Sequence, residues 1–197
     1  MPGKYPSKRL LTAGLLMLAG CGMGAIVQAA QAPPSGFEVT STTFADGGPL
    51  PVRTAYTLGP NFPNCVGQNI SPALAWSKPP QGTKSYAVTM LDLENMVGDI
   101  GLVVYGIPPE VTSFGEGEFN KASPKFISGV GSRDNQFWRG MCPPPGTAPH
   151  HYVFLVMATD LDPKALPPGL AWLELDGRLR KGHLIDSQAI VGTFKRP

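Results

Sequence analysis

Turn residues set the limits on this chain. Its 197 residues include 24 glycines and 22 prolines, scattered without a period, so few stretches run long enough for an extended helix. Hydrophobic residues make up 42% of the chain, which supplies a real core, and charged residues only 15%. Frequent turns between short apolar runs predict a β-dominated domain rather than a disordered chain. The length suits one domain plus a short targeting segment.

The N-terminus reads as an export signal. Lys4, Lys8 and Arg9 precede an apolar run from Leu10 to about Val27, and no acidic residue comes before Glu38. Two exits are written into it. Leu18-Ala19-Gly20-Cys21 has the form of a lipobox, in which cleavage before Cys21 is coupled to lipidation of its thiol. Val27-Gln28-Ala29 instead suits ordinary signal peptidase. The signal therefore spans residues 1–29, or 1–20 in a lipoprotein, followed by a linker over 30–36 and a domain over 37–197. A retained membrane helix is the weaker reading, because Gly14, Gly20, Gly22 and Gly24 dilute a run that would need roughly 20 apolar residues. The expected location is the periplasm, with membrane attachment only through a lipid on Cys21 or an uncleaved signal.

The whole chain carries a formal charge of +2, but the three cations of the signal account for it. Thirteen basic and fourteen acidic residues remain, without a basic stripe. Nucleic acid is excluded as a partner, since phosphate contacts need clustered Lys and Arg. Once Cys21 is lipidated or removed, Cys65 and Cys142 are left as an even pair in an oxidising compartment. A bridge between them would contribute about 4 kcal/mol in the chain-entropy model. Two buried free thiols are the alternative. No Cys-x-x-Cys spacing supports a metal.

Along the domain, alternation predicts strands over Phe37–Ser41, Val52–Leu58 and Ala73–Trp76. Ser85–Asp92 and Leu102–Ile107 are the clearest strands, and Tyr152–Ala158 reads as a central one. Pro108–Gly146 is long and polar, with a pattern only at Phe126–Val130. Trp172, Leu175 and Leu179 recur at helical spacing, and Gln188–Lys195 is a closing strand.

Three segments carry the candidate chemistry. In the first, Gly140-Met141-Cys142-Pro143-Pro144-Pro145-Gly146 is a stiff turn able to wall a pocket, and a strand starting at His150 points His150 and Tyr152 to one face and His151 to the other. In the second, Asp92 sits at a strand rim where it can orient an imidazole, whereas Glu94 reads as a solvated loop acid. In the third, Asn69-Ile70-Ser71-Pro72 reads as a turn whose side chains cap backbone groups. No Gly-x-Ser-x-Gly elbow, phosphate loop or His-Glu-x-x-His occurs, and Ser71 and Ser85 lack the setting of a nucleophile. No catalytic residue, metal or cofactor is expected.

In order, these segments resemble the phosphatidylethanolamine-binding (Raf-kinase-inhibitor-like) family, in its bacterial exported branch. The resemblance runs from about Phe37 to Arg196. Its markers are Asn69–Trp76, Pro80–Val88, Val103–Pro108, the Cys142-Pro143-Pro144 and His150-His151-Tyr152 block, and Gly192-Thr193-Phe194. It implies a large antiparallel sheet packed on a smaller one with peripheral helices, a surface pocket for phosphate-like anions, and in some members inhibition of a protease or kinase. On that basis Asp92, Gly140, Pro143, His150 and Tyr152 bind the ligand, a small anion or phospholipid-like molecule. The Cys65–Cys142 bridge also fits the exported branch.

The match is uneven. The Asp-Pro-Asp-x-Pro motif becomes Asp92-Leu93-Glu94-Asn95-Met96, and the family's His-Trp pair falls on Gly101-Leu102. Loss of a charged imidazole donor costs an anion site roughly 1.5–3 kcal/mol. Gly101 and Leu102 beside Met96 predict a wider, more apolar mouth. A pocket redirected to a more apolar ligand, or retained only as scaffold, follows as an expectation. An inhibitor of a protein target acting through loops such as Pro108–Lys125 is the alternative.

Overall fold

The structure is a computed structural model that describes residues 36–57, 65, 67–95 and 98–197. The segment read as an export signal, with Cys21, most of the Gly59–Gly67 loop, and Met96 lie outside them. Among the described residues no helix is long and apolar enough to cross a membrane.

Eight strands among the described residues form two antiparallel sheets. The smaller holds β1 (Glu38–Thr40), β2 (Leu74–Ser77) and β5 (Ser113–Phe114), in the order β1-β2-β5. The larger holds β3 (Ser85–Asp92), β4 (Asp99–Ile107), β6 (Ile127–Ser128), β7 (His150–Thr159) and β8 (Leu184–Phe194). Its order is β6-β4-β3-β7-β8, so the two most apolar runs lie inside the sheet. One helix, α1 (Trp172–Leu179), completes the fold.

Both faces of the large sheet are covered, which explains why β3 is buried almost throughout. Tyr86, Val88 and Met90 of β3, with Leu102 and Val104 of β4 and Phe154 and Val156 of β7, meet Phe37, Val39, Trp76 and Phe114 from the small-sheet side. Alternate residues, among them Ala87, Val103 and Met157, pack with Leu175 and Leu179 of α1. Trp172 is only partly buried against this second cluster. Trp76 meets Tyr86 edge-on at 5.2 Å, one of several aromatic contacts that fix how the sheets sit together.

One strand expectation needs correction. Val52–Thr54 is a 3-10 helix, because Pro51 opens a turn closed by hydrogen bonds from Thr54 and Ala55 to Pro51 and Val52. The carbonyl of Arg53 accepts from both Gln68 and Ile70, so that backbone serves a loop rather than a ladder. The Phe126–Val130 pattern yields only the short β6. Elsewhere the expected strands stand within a few residues, and α1 ends at Leu179 with Arg180 as its cap.

The cysteines are bridged. Cys65 and Cys142 form a disulfide with their Cα atoms 5.8 Å apart, across a sequence separation of 77. Arg196 near the C-terminus donates from Nη2 to both sulfurs at 3.0 Å, tying the chain's last residues to the same point.

Candidate functional site

One row of the large sheet places the polar residues. Asp92 is the last residue of β3 and pairs with Asp99 on β4 and with Tyr152 on β7. His150 opens β7 two residues earlier, so His150 and Tyr152 share a face, their rings 6.4 Å apart and nearly parallel. His151 points the other way and is exposed. Beyond this row lies a cleft of about 340 Å³.

The expected residues Asp92, Gly140, Pro143, His150 and Tyr152 all line that cleft. His150 Nδ1 lies 3.0 Å from Asp92 Oδ1 and 2.9 Å from Oδ2, with both residues 7% exposed. The Asp92 carboxylate also accepts from the main-chain N–H of Glu94 at 3.1 Å. The imidazole is thus oriented by a carboxylate held in its own turn. Its Nε2 sits 3.4 Å from Thr147 Oγ1 at the rim.

Tyr152 is only 2% exposed, and its hydroxyl makes no formed hydrogen bond. Burial first, and then the charge of Asp92 and the hydroxyl's contact with that carboxylate, push the hydroxyl well above the ordinary tyrosine range. The contact is not a well-formed hydrogen bond, and a buried hydroxyl in that setting has room for a water, ion or ligand as partner.

The wall opposite is built by Asn69. Its Oδ1 accepts from Gly140 N at 2.8 Å and its Nδ2 donates to Trp138 O at 3.1 Å, so the turn read as a cap clamps the Gly140 segment. Gly140 approaches the backbone closely: a Cβ there would lie 2.1 Å from Thr54 O. Pro143 and Pro144 then continue the wall with no N–H to satisfy.

The mouth departs from expectation. Leu102 is 1% exposed and turned into the core between the sheets, so it does not line the opening. The space beside Gly101 is filled by Met90: a Cβ on Gly101 would fall 2.3 Å from Met90 Cε and 2.4 Å from Arg139 O. Polar residues also line the cleft, among them Glu94, Asp99, Arg133 and Arg139. Charged side chains thus share the described lining with apolar ones such as Met90, Met141 and Pro143. Arg133 Nη2 lies 3.5 Å from Asp99, and the Arg139 guanidinium stacks 4.3 Å over the Tyr56 ring.

Sequence reasoning missed these two arginines because they come from the long polar segment, where no periodicity marks a facing direction. Glu94 is more than a solvated acid. It accepts from His151 N and from the His151 ring, each at 2.6 Å, and lines the cleft. Partial burial opposes its ionisation, but the hydrogen bonds from the His151 main chain and ring outweigh that and hold its carboxyl below the usual range. Ser71 and Ser85 stay outside the lining and serve structure: Ser71 Oγ accepts from Phe119 N, and Ser85 Oγ donates to Leu161 O.

Comparison with known proteins agrees with this architecture. A family model described as phosphatidylethanolamine-binding protein matches residues 40–195. A UPF0098 protein of Aquifex aeolicus is 33% identical over 164 residues, covering 81% of this chain and 88% of its own. LppC of Mycobacterium tuberculosis, a lipoprotein candidate by name, is 31% identical over 206 residues, covering 94% of this chain and 95% of its own. The crystal structure of Escherichia coli YbcL, described as a new member of the mammalian PEBP family, superposes with a TM-score of 0.73 at 28% identity. That match covers 82% of this chain and 99% of YbcL.

Proposed function

The chain belongs to the phosphatidylethanolamine-binding protein family, and from that premise we propose that it is an exported, non-catalytic binding protein whose cleft takes a small polar ligand. The observation that carries this reading is the convergence on one cleft of a buried Asp92–His150 pair and a Tyr152 hydroxyl without a formed hydrogen bond. A phosphate-type anion fits the donors: the Tyr152 hydroxyl, the Arg133 and Arg139 guanidiniums and, on a protonated imidazole, His150 Nε2. The carboxylates of Asp92, Glu94 and Asp99 oppose a bare anion, so a head group that joins phosphate to an amine is favoured over phosphate itself. Export is supported by the basic, apolar N-terminal segment and by the likeness to LppC over 94% of the chain.

Thermal unfolding with phosphate, phosphoethanolamine and short-chain phospholipid tests the reading. A ligand at a hundredfold excess over Kd should stabilise by about 2.7 kcal/mol, equivalent to about 5–10 °C in Tm for a domain of this size. The shift should vanish in His150→Ala and shrink in Tyr152→Phe. No shift with any of the three would overturn the ligand-binding reading and direct attention to a protein target.

A further inference from the structure

The mouth of the cleft gathers the chemistry of a metal site. One ligand atom each from Asp92, Glu94 and His150 lies within 4.8 Å of the other two. The Asp92 carboxylate and His150 Nδ1 are 2.9 Å apart. That is a hydrogen-bond distance. Two ligands held about 2.0–2.2 Å from one tetrahedral ion stand roughly 3.3–3.6 Å apart, so a small opening of the pair seats an ion. Glu94 reaches in from the rim, its side chain 36% exposed and held by the His151 main chain and ring.

Two further observations point to a cation. The lining places Asp92, Glu94 and Asp99 against only Arg133 and Arg139. Arg133 already faces Asp99, and Arg139 is stacked on Tyr56. Independently, the Tyr152 hydroxyl and Asp99 Oδ1 are buried with no formed hydrogen bond, although both belong to the strand row that carries Asp92. Coordinated water supplies donors and acceptors to such atoms, whereas an apolar ligand supplies neither.

We propose that Asp92, Glu94 and His150 bind one divalent transition-metal cation of the zinc type at the mouth of the cleft. The donor set chooses the class. One imidazole and two carboxylates suit zinc-like ions in a site with an open position, whereas calcium takes six to eight oxygens. Binding requires His150 to rotate its ring slightly off the Asp92 hydrogen bond and Glu94 to release His151. Tyr152 and Asp99 then hydrogen-bond the ion's waters. The site goes beyond the ligand-binding reading and does not depend on it.

The test is calorimetric titration of the metal-stripped full chain with zinc chloride alone, without phosphate or lipid. Wild type and His151→Ala should bind one equivalent with similar affinity. Glu94→Gln, an exposed change that leaves the core untouched, should weaken binding by roughly 10- to 100-fold or more, and His150→Ala should remove it. Absence of saturable one-to-one binding in wild type would overturn the proposal. So would an affinity unchanged in Glu94→Gln, or one lost in His151→Ala, which would move the ion to the outer face. Because no anion is present, failure here leaves the head-group reading standing, and success does not establish it.

Discussion

The family resemblance read from the sequence sets a pocket histidine at Gly101, and putting a side chain there should damage the protein rather than restore a pocket. A Cβ there lies 2.3 Å from Met90 Cε and 2.4 Å from Arg139 O. The methionine end can bend away, but the carbonyl belongs to a backbone tied down on β4. Arg139 N donates to Gly101 O at 2.9 Å, and Asn135 Nδ2 donates to the same oxygen at 3.0 Å. Relieving the overlap moves this segment off the strand. Overpacking costs about 1–3 kcal/mol, and weakening one such hydrogen bond adds about 1 kcal/mol. Gly101→Ala should therefore lose about 3 kcal/mol, or roughly 6–12 °C in Tm for a domain this size. Gly101→His should lose at least as much. Thermal and urea unfolding of the oxidised protein, followed by circular dichroism, measures both. Met90→Ala alone should cost about 2–5 kcal/mol as a core truncation. Gly101→Ala added to it should cost less than in wild type but not nothing, since only one contact of the two is relieved. A Gly101→Ala protein within about 0.5 kcal/mol of wild type would refute the steric argument.

His150→Ala leaves the buried Asp92 carboxylate without its imidazole and should cost about 3 kcal/mol in urea unfolding, whereas Asp92→Asn, which keeps shape and an acceptor, should cost less. Tyr152→Phe removes a buried hydroxyl without a formed hydrogen bond, so the ligand-free protein should unfold no earlier than wild type; a loss above about 1 kcal/mol would mean the hydroxyl already has a firm partner. Replacing Cys65 and Cys142 by serine opens a cross-link spanning 77 positions. It should cost about 4 kcal/mol, read as the difference between oxidised wild type and the double variant. Glu118 is held below the usual carboxylate range by its hydrogen bond with Lys125 and then by the N–H of Gly115. Its contribution is complete above the ordinary value of 4.5 and disappears as pH falls through the lowered one. Glu118→Gln should thus be less stable than wild type at neutral pH, by only about 0.5 kcal/mol because the pair is exposed. Acid titration of both proteins should show the gap closing below pH 4.5, and a gap that widens there would reverse the assignment.

Much of the fold was legible because strands and helix carry their pattern locally. Ser85–Asp92 is apolar on both faces and sits between two neighbours, and the spacing of Leu175 and Leu179 marks the buried side of α1. Val52–Leu58 misled because alternation says nothing about whether a backbone finds a ladder. Arg53 spends its carbonyl on Gln68 and Ile70 instead. The polar stretch before β7 hid Arg133 and Arg139 for a related reason: loop side chains take their direction from distant contacts.

The sequence by itself determined the β-dominated class, the helix α1, the placing of His150 and Tyr152 on one face and, through the family resemblance, the Asp92–His150–Gly140–Pro143 set that lines the cleft. These follow from period-2 and helical spacing, from turn chemistry, and from motif order, all of which survive in one dimension. The tertiary structure alone decided the character of the mouth. Leu102 faces inward across the β4 bulge, Met90 fills the space beside Gly101, and Asp99 stands opposite Asp92 because antiparallel register puts it there. Register and bulges depend on pairing between strands far apart in the chain, so which charged side chains reach the mouth is set by neighbours that no local pattern names.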